Sequence, residues 1–269
     1  MGELHRALGN RTRRAAFLTY HAISDTGPAF LHVPPAVFER QLALLRRKGW
    51  APGTTAGLDA LAAGERPAAP LAFLTFDDGY VDNHRDALPL LREYGFRAIV
   101  FVIPPMVDAG APLIWPEVAD DQRRHPEVMR SMTWEQVGEM VEAGTEIGAH
   151  TMTHPKLSTL HGEELRQELV DSRKAIIDRL GSCDLFAFPF GDHSPEAVRA
   201  VADAGYRYAF TQPSAGQAGF TRVTIPRVPV DERDDERRFG LKLRAPARAG
   251  LLSPLKPAAA GAVRKVLRK

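Results

Sequence analysis

The chain alternates short apolar runs with longer segments in which apolar residues recur every three or four positions. Ala15–Tyr20 is an apolar run that ends before His21. Residues 34–48 follow, with Phe38, Leu42 and Leu45 on one helical face and Gly49 as a stop. Leu71–Phe76 reads as a buried strand and residues 83–94 as a helix closed by Gly95. Residues 97–103 form a strand rich in β-branched side chains, stopped by Pro104-Pro105. Residues 104–132 hold no clear period and read as a long loop, which in a compact domain is often functional. Thr133 then caps a helix, with Gln136 completing a capping box and Gly144 closing it. A short strand at 145–149 precedes a helix at Gly162–Leu180, with Leu165, Leu169, Ile176 and Leu180 inward. A strand at 184–188, a helix opened by Ser194-Pro195 and closed by Gly205, and strands at 206–210 and 224–230 complete the pattern.

Strands that alternate with helices predict a mostly parallel sheet covered by helices. The expected fold class is α/β: a distorted (β/α) barrel with about seven parallel strands, chosen over a doubly wound sheet. The 269 residues suit one such domain, and there is no internal repeat. The expected organisation is a basic arm at 1–14, a catalytic domain at 15–235 and a basic, Ala/Pro-rich tail at 236–269.

Composition narrows this picture modestly. The 44% hydrophobic and 25% charged residues are those of an ordinary globular chain. A net charge of +2 is too small to direct the protein to nucleic acid. Cys183 is the single cysteine, so no intramolecular disulfide forms, which fits a reducing compartment. No run of about 18 apolar residues spans a membrane, and no signal peptide is visible, so the expected location is cytoplasmic. From Leu241 to Lys269 there are eight Lys or Arg and no Asp or Glu. With Leu251, Leu252, Leu255, Val263 and Val266, this tail allows weak contact with an anionic membrane surface. Pro246, Pro254 and Pro257 favour a solvated tail instead.

Two motifs carry chemistry. Thr75-Phe76-Asp77-Asp78-Gly79-Tyr80 ends a buried strand, and two adjacent carboxylates there are costly unless a cation or a shared proton relieves them. His150-Thr151-Met152-Thr153-His154 also follows a strand, with two imidazoles four residues apart. In a parallel α/β fold both motifs fall on the rim formed by the strand C-terminal ends. Two His and one Asp fill three positions of a divalent ion and leave one for water, while the second carboxylate is free to take a proton. That combination hydrolyses an amide or an ester.

In this order the motifs resemble the polysaccharide deacetylase family, carbohydrate esterase family 4. The resemblance runs from Tyr20-His21 to about Val230 and includes Thr133-Trp134, Glu146-Ile147-Gly148 and Phe186-Ala187-Phe188-Pro189-Phe190-Gly191. It implies a distorted barrel and the removal of N- or O-linked acetyl groups from glycans. It also implies that Asp77 is the general base and that Asp78, His150 and His154 hold zinc or a similar ion. The substrate partner expected is an N-acetylated glycan. Tyr80, Trp115, Pro189, Phe190 and Gly191 are the expected substrate-lining residues, with wall or core packing as the alternative for Tyr80 and Trp115. His193 is expected in solvent, Trp134 and Cys183 in packed positions.

Two departures from the family pattern bear on mechanism. Many members place an Arg where this chain has Ala187, and many carry a C-terminal L-x-H whose His is the general acid. Here the matching region is Ile225-Pro226-Arg227-Val228-Pro229-Val230, without a histidine. Arg227 is the expected partner of Asp77, and His21 the expected acid. The same departures leave a catalytically weak glycan-binding relative as an alternative, and the resemblance to a broad superfamily leaves another, an amide hydrolase on a non-sugar substrate.

Overall fold

A computed structural model describes residues 15–28, 30–113, 115–213 and 221–243; the expected N-terminal arm and most of the expected tail lie outside them. Eight strands run in one parallel ring. In chain order the strands are β1 (Ala15–Tyr20), β2 (Ala22–Ile23), β3 (His32–Val33), β4 (Ala51–Pro52), β5 (Leu71–Phe76), β6 (Ala98–Val102), β7 (Glu146–Ala149), β8 (Leu185–Ala187), β9 (Tyr208–Thr211), β10 (Ile225–Pro226) and β11 (Val228–Pro229). The ring order is β10-β9-β8-β7-β6-β5-β1-β11; β4 pairs with β5, and β2 with β3.

The last two strands are one segment broken at Arg227. Its first half pairs with β9, through Ile225 opposite Phe210. Its second half pairs with β1, through Val228 opposite Leu18. Pro226 and Pro229 have no N–H to give; Arg227 N–H donates to the Thr211 carbonyl and Val230 N–H to that of Thr19. This segment closes the sheet into the expected (β/α) barrel.

Alternation along the strands separates two cores. Phe17, Phe73, Ile99, Phe101, Phe210 and Ile225 point into the barrel, where Leu58 and Leu61 join them. Leu18, Leu74, Val100 and Ile147 point outward against the helices, with Phe38, Leu42, Leu165 and Leu169. The same parity sends Thr75 and Asp77 inward, above the aromatic layer. Gly148 is required by that layer, because a Cβ there would lie 2.6 Å from the Phe101 ring.

The helices are α1 (Pro35–Arg47), α2 (Thr55–Ala62), α3 (Leu88–Tyr94), α4 (Pro104–Ala109), α5 (Ala119–Arg124), α6 (Trp134–Glu142), α7 (Gly162–Leu180), α8 (Pro195–Asp203) and α9 (Glu236–Lys242). Several differ from the sequence expectation. The segment 104–132 is not a plain loop: it contains α4 and α5, and Pro112 and Ser131 bridge Arg130 and Tyr80. Six-residue helices are too short to display a 3.6-residue period, and Pro104 starts a helix as well as ending a strand. Residues 83–94 split into a π turn, Asn83–Ala87, and α3. The folded body also continues past Asp235, since α9 buries Phe239 and Lys242, whose Nζ meets Asp234 at 2.5 Å.

Candidate active site

Asp77 and Asp78 follow β5 directly, and His150 follows β7, so both motifs emerge at the C-terminal rim. Asp78, His150 and His154 offer ligand atoms that all lie within 4.8 Å of one another, and all three residues are buried. Each imidazole Nε2 is 3.4 Å from Asp78 Oδ1. That oxygen has no hydrogen-bond partner among the described residues. A tetrahedral ion bound at about 2.0–2.1 Å spaces its ligands roughly 3.3–3.4 Å apart, so the two N···O spacings suit a divalent ion.

The protonation states agree with this fit. Burial is the largest influence on His150 and pulls its pKa down to about 4, against the opposing charges of Asp77 and Asp78. Its Nδ1–H donates to the Ala187 carbonyl at 2.8 Å, which leaves the Nε2 lone pair facing Asp78. Burial raises Asp78, but the close approach and charge of His154, with the charges of His21 and His150, leave it below the usual carboxylate range. A neutral His150 and an ionised Asp78 are the forms in which these groups bind a metal.

The backbone is bent to make the site. Asp78, Thr151, His154 and Phe190 are the non-glycine residues with positive φ among the described residues, at 58° to 69°. Such residues are uncommon and cluster where the surrounding structure enforces them. Here the enforcing groups are visible. Thr151 Oγ1 accepts from His154 N–H at 2.9 Å. Glu168 of α7 accepts from the N–H groups of Met152 and Thr153 at 2.7 and 3.0 Å and from Thr153 Oγ1 at 2.6 Å. The sequence pattern singles out neither role: Glu168 lies on the following helix, α7, and no local pattern points to it.

Arg227 is fully buried and grips Asp77 with both arms, Nη1 to Oδ1 at 2.7 Å and Nη2 to Oδ2 at 2.8 Å. Nη1 also donates to Thr75 Oγ1 at 2.9 Å, and that hydroxyl donates to the Leu18 carbonyl. The guanidinium lies over the rings of Phe101 and Phe210, 5.3 and 5.7 Å from their centroids. Burial alone raises Asp77, but the charge of Arg227, with those of His150 and His21, brings it to about 2. Asp77 is therefore an ionised acceptor throughout the neutral range. His21 stands on its other side, Nε2 4.0 Å from Asp77 Oδ2, with 16% of its side chain exposed.

The remaining candidates form the wall. Trp115, only 9% exposed, stacks on His154 at 4.2 Å and 29°, while Phe190 meets the same ring edge-on at 4.7 Å. Lys156 lies 5.3 Å from the Phe190 centroid and 3.4 Å from Glu117, tying the two loops beside His154. Tyr80 is fully buried beside Leu113 and Trp115. Pro189 is buried, and Gly191 has φ +66° with Gln212 N where a Cβ would be, 2.6 Å away. His193 is half-buried against Phe188. Cys183 is buried, its thiol pushed up to about 12 by burial. Trp134 is tied to Asp108 at 2.6 Å.

This constellation can be compared with known proteins. Residues 64–209 match the family model described as Polysaccharide deacetylase. This chain belongs to the polysaccharide deacetylase family. A Bacillus subtilis (strain 168) relative bearing the name "Putative polysaccharide deacetylase YxkH" is 28% identical over 227 residues, 83% of this chain and 74% of its own length. The poly-beta-1,6-N-acetyl-D-glucosamine N-deacetylase of Escherichia coli (strain K12) is 23% identical over 255 residues; the match spans 84% of this chain and 38% of that protein. The Streptococcus pyogenes deacetylase PplD, solved in complex with acetate, superposes with a TM-score of 0.72 at 23% identity, over 85% of this chain and 97% of that one. That likeness shows the shared barrel fold. This polysaccharide deacetylase family member has no helix among the described residues long and apolar enough to cross a membrane.

Proposed function

We propose that this chain is a metal-dependent hydrolase that removes acetyl groups from the N-acetylated sugars of a polysaccharide, oligosaccharide or lipid-linked glycan. The observation that carries the reading is the convergence of Asp78, His150 and His154 beside an Asp77 that Arg227 holds outside the ligand group. The activity in the name of the Escherichia coli relative, N-deacetylation of a poly-N-acetylglucosamine, supports the choice of substrate class.

Asp78, His150 and His154 would hold a divalent ion, zinc by its donor set, which supplies an acidified water and a polarised acetyl carbonyl. Asp77 takes the proton of the attacking water, and Arg227 fixes the carboxylate for that transfer. His21 faces the same carboxylate from the mouth and gives a proton to the departing sugar nitrogen as the C–N bond breaks. The products are acetate and a free amine. Trp115 and Phe190 hold His154, and the buried Tyr80 packs behind them in the same apolar cluster.

Acetate release from N-acetylated oligosaccharides tests the proposal. EDTA treatment abolishes release and added zinc restores it if the reading holds. Release that persists in thoroughly chelated protein contradicts metal dependence, and cleavage confined to non-sugar amides contradicts the substrate class.

A further inference from the structure

His21 must keep a narrow distance to Asp77, yet its ring makes no hydrogen bond to another described residue. The ring's placement comes from the backbone on either side of it. Asp77 N–H donates to the Tyr20 carbonyl at 3.0 Å. Asn83 Nδ2 donates to the carbonyl of His21 itself at 2.8 Å. Ile23 N–H donates to Asp82 Oδ1 at 2.9 Å, and Asn83 Nδ2 reaches the same oxygen at 3.1 Å. The segment 20–23 is thereby bonded at three points to the run 77–83.

Asp82 and Asn83 are fully buried, and Asp82 Oδ2 and Asn83 Oδ1 have no hydrogen-bond partner among the described residues. Burying polar atoms in this state costs free energy, so their presence calls for a role. They sit where the chain enters the π turn Asn83–Ala87 instead of starting directly on an α-helix. Such turns are frequent at functional sites. Asp77, Asp78, Asp82 and Asn83 thus fall within one short piece of chain that also fixes the residue across the mouth.

We propose that Asp82 and Asn83 are positioning residues that set His21 against Asp77. This rests on the deacetylase reading in which His21 delivers a proton. Asn83 acts on His21 through its carbonyl, and Asp82 acts by orienting Asn83 and pinning Ile23. Asp82→Asn keeps an acceptor for Ile23 N–H, while Asn83→Ala removes the only side-chain bond to the His21 backbone among the described residues.

The test is a double-mutant cycle on acetate release combined with NMR of the His21 ring nitrogens. A displacement of about 1 Å costs roughly 10²-fold, so Asn83→Ala is expected to lower kcat by about that factor with KM and bound metal unchanged. In a His21→Ala background, Asn83→Ala is expected to have no further effect. Asp82→Ala, which removes the acceptor for Ile23 N–H and Asn83 Nδ2, is expected to lower kcat with KM unchanged and Asp82→Asn to restore it; an unchanged kcat in Asp82→Ala overturns the role of Asp82. Effects that multiply across the cycle, or an unchanged kcat in Asn83→Ala, overturn the proposal. Should Asn83→Ala fail to fold, the near-isosteric Asn83→Leu takes its place. The His21 nitrogen signals, assigned by their loss in His21→Ala, are read independently of turnover. If the wild-type protein releases no acetate and these signals still move in Asn83→Ala, the deacetylase reading fails and the positioning stands. If they do not move, the positioning fails.

Discussion

Arg227 reaches Asp77 from the opposite side of the barrel sequence, 150 residues away, and binds both of its carboxylate oxygens. The contact exists because the closing strand breaks at Arg227, between β10 and β11, and turns that side chain into the lumen. The family's more usual arginine position is occupied by Ala187, whose carbonyl instead receives the Nδ1–H of His150. One strand thus orients a histidine through its backbone, and another supplies the cation.

Removing that cation has two consequences. Breaking one partner of a buried pair costs about 3–5 kcal/mol, so Arg227→Ala is expected to lose that much unfolding free energy and to unfold at a lower denaturant concentration. Asp77 then loses the influence that opposes its burial, and its pKa rises from about 2. The acidic limb of kcat/KM moves to higher pH. Arg227→Lys keeps the charge without the two-armed contact and falls between. Denaturant titration and a pH–rate profile check both; an unmoved limb with full turnover refutes the assignment.

The pair also sets acid stability in the wild-type protein. Asp77 is depressed from its ordinary 3.8 to about 2, so its contribution is present above about pH 4 and is lost as pH falls toward 2. Asp77→Asn is expected to flatten stability in that window. It also lowers acetate release about 10²–10⁴-fold while leaving bound metal in place, the effect of losing a proton acceptor and not a ligand. Metal content of the purified variant distinguishes the two.

Asp82 titrates in the opposite sense. Burial, followed in size by the opposing Ile23 N–H and then the charge of Asp86, leaves its pKa at about 7. A raised carboxyl stabilises the fold most below its ordinary value and loses that contribution as pH rises through about 7. The loss between pH 4 and pH 7 has an upper size of about 4 kcal/mol, and Asp82→Asn is expected not to show it. Urea denaturation at a series of pH values makes the comparison; parallel curves for the two proteins contradict it.

How much of this could be read without the structure depends on range. Asp77, Asp78 and His150 were legible because each ends a strand, and a parallel sheet brings strand ends to one rim. Arg227 was legible from its place on the last strand. Glu168, Thr75 and the Asp82–Asn83 pair were not, since each acts on a residue whose nearness depends on helix packing or barrel closure. The helices α4, α5 and α9 escaped because six or seven residues do not show a helical period. Thr151 and His154 gave no hint of their positive φ, which polar contacts with Thr151 and Glu168 impose.

Trp115 and Phe190 provide a further check on how the site is held. If their rings orient His154, Trp115→Ala weakens metal binding about 10–100-fold with little change in KM. A sugar-stacking role predicts the reverse: a raised KM and unchanged metal affinity. Calorimetric zinc titration beside steady-state kinetics separates them.

The central claim concerns which carboxylate meets the cation. A crystal of zinc-loaded protein measured at the zinc absorption edge locates the ion directly. One anomalous peak bounded by Asp78 Oδ1, His150 Nε2 and His154 Nε2, with Asp77 still bonded to Arg227, is the expected result. A peak coordinated by Asp77, or no peak at these residues, contradicts it.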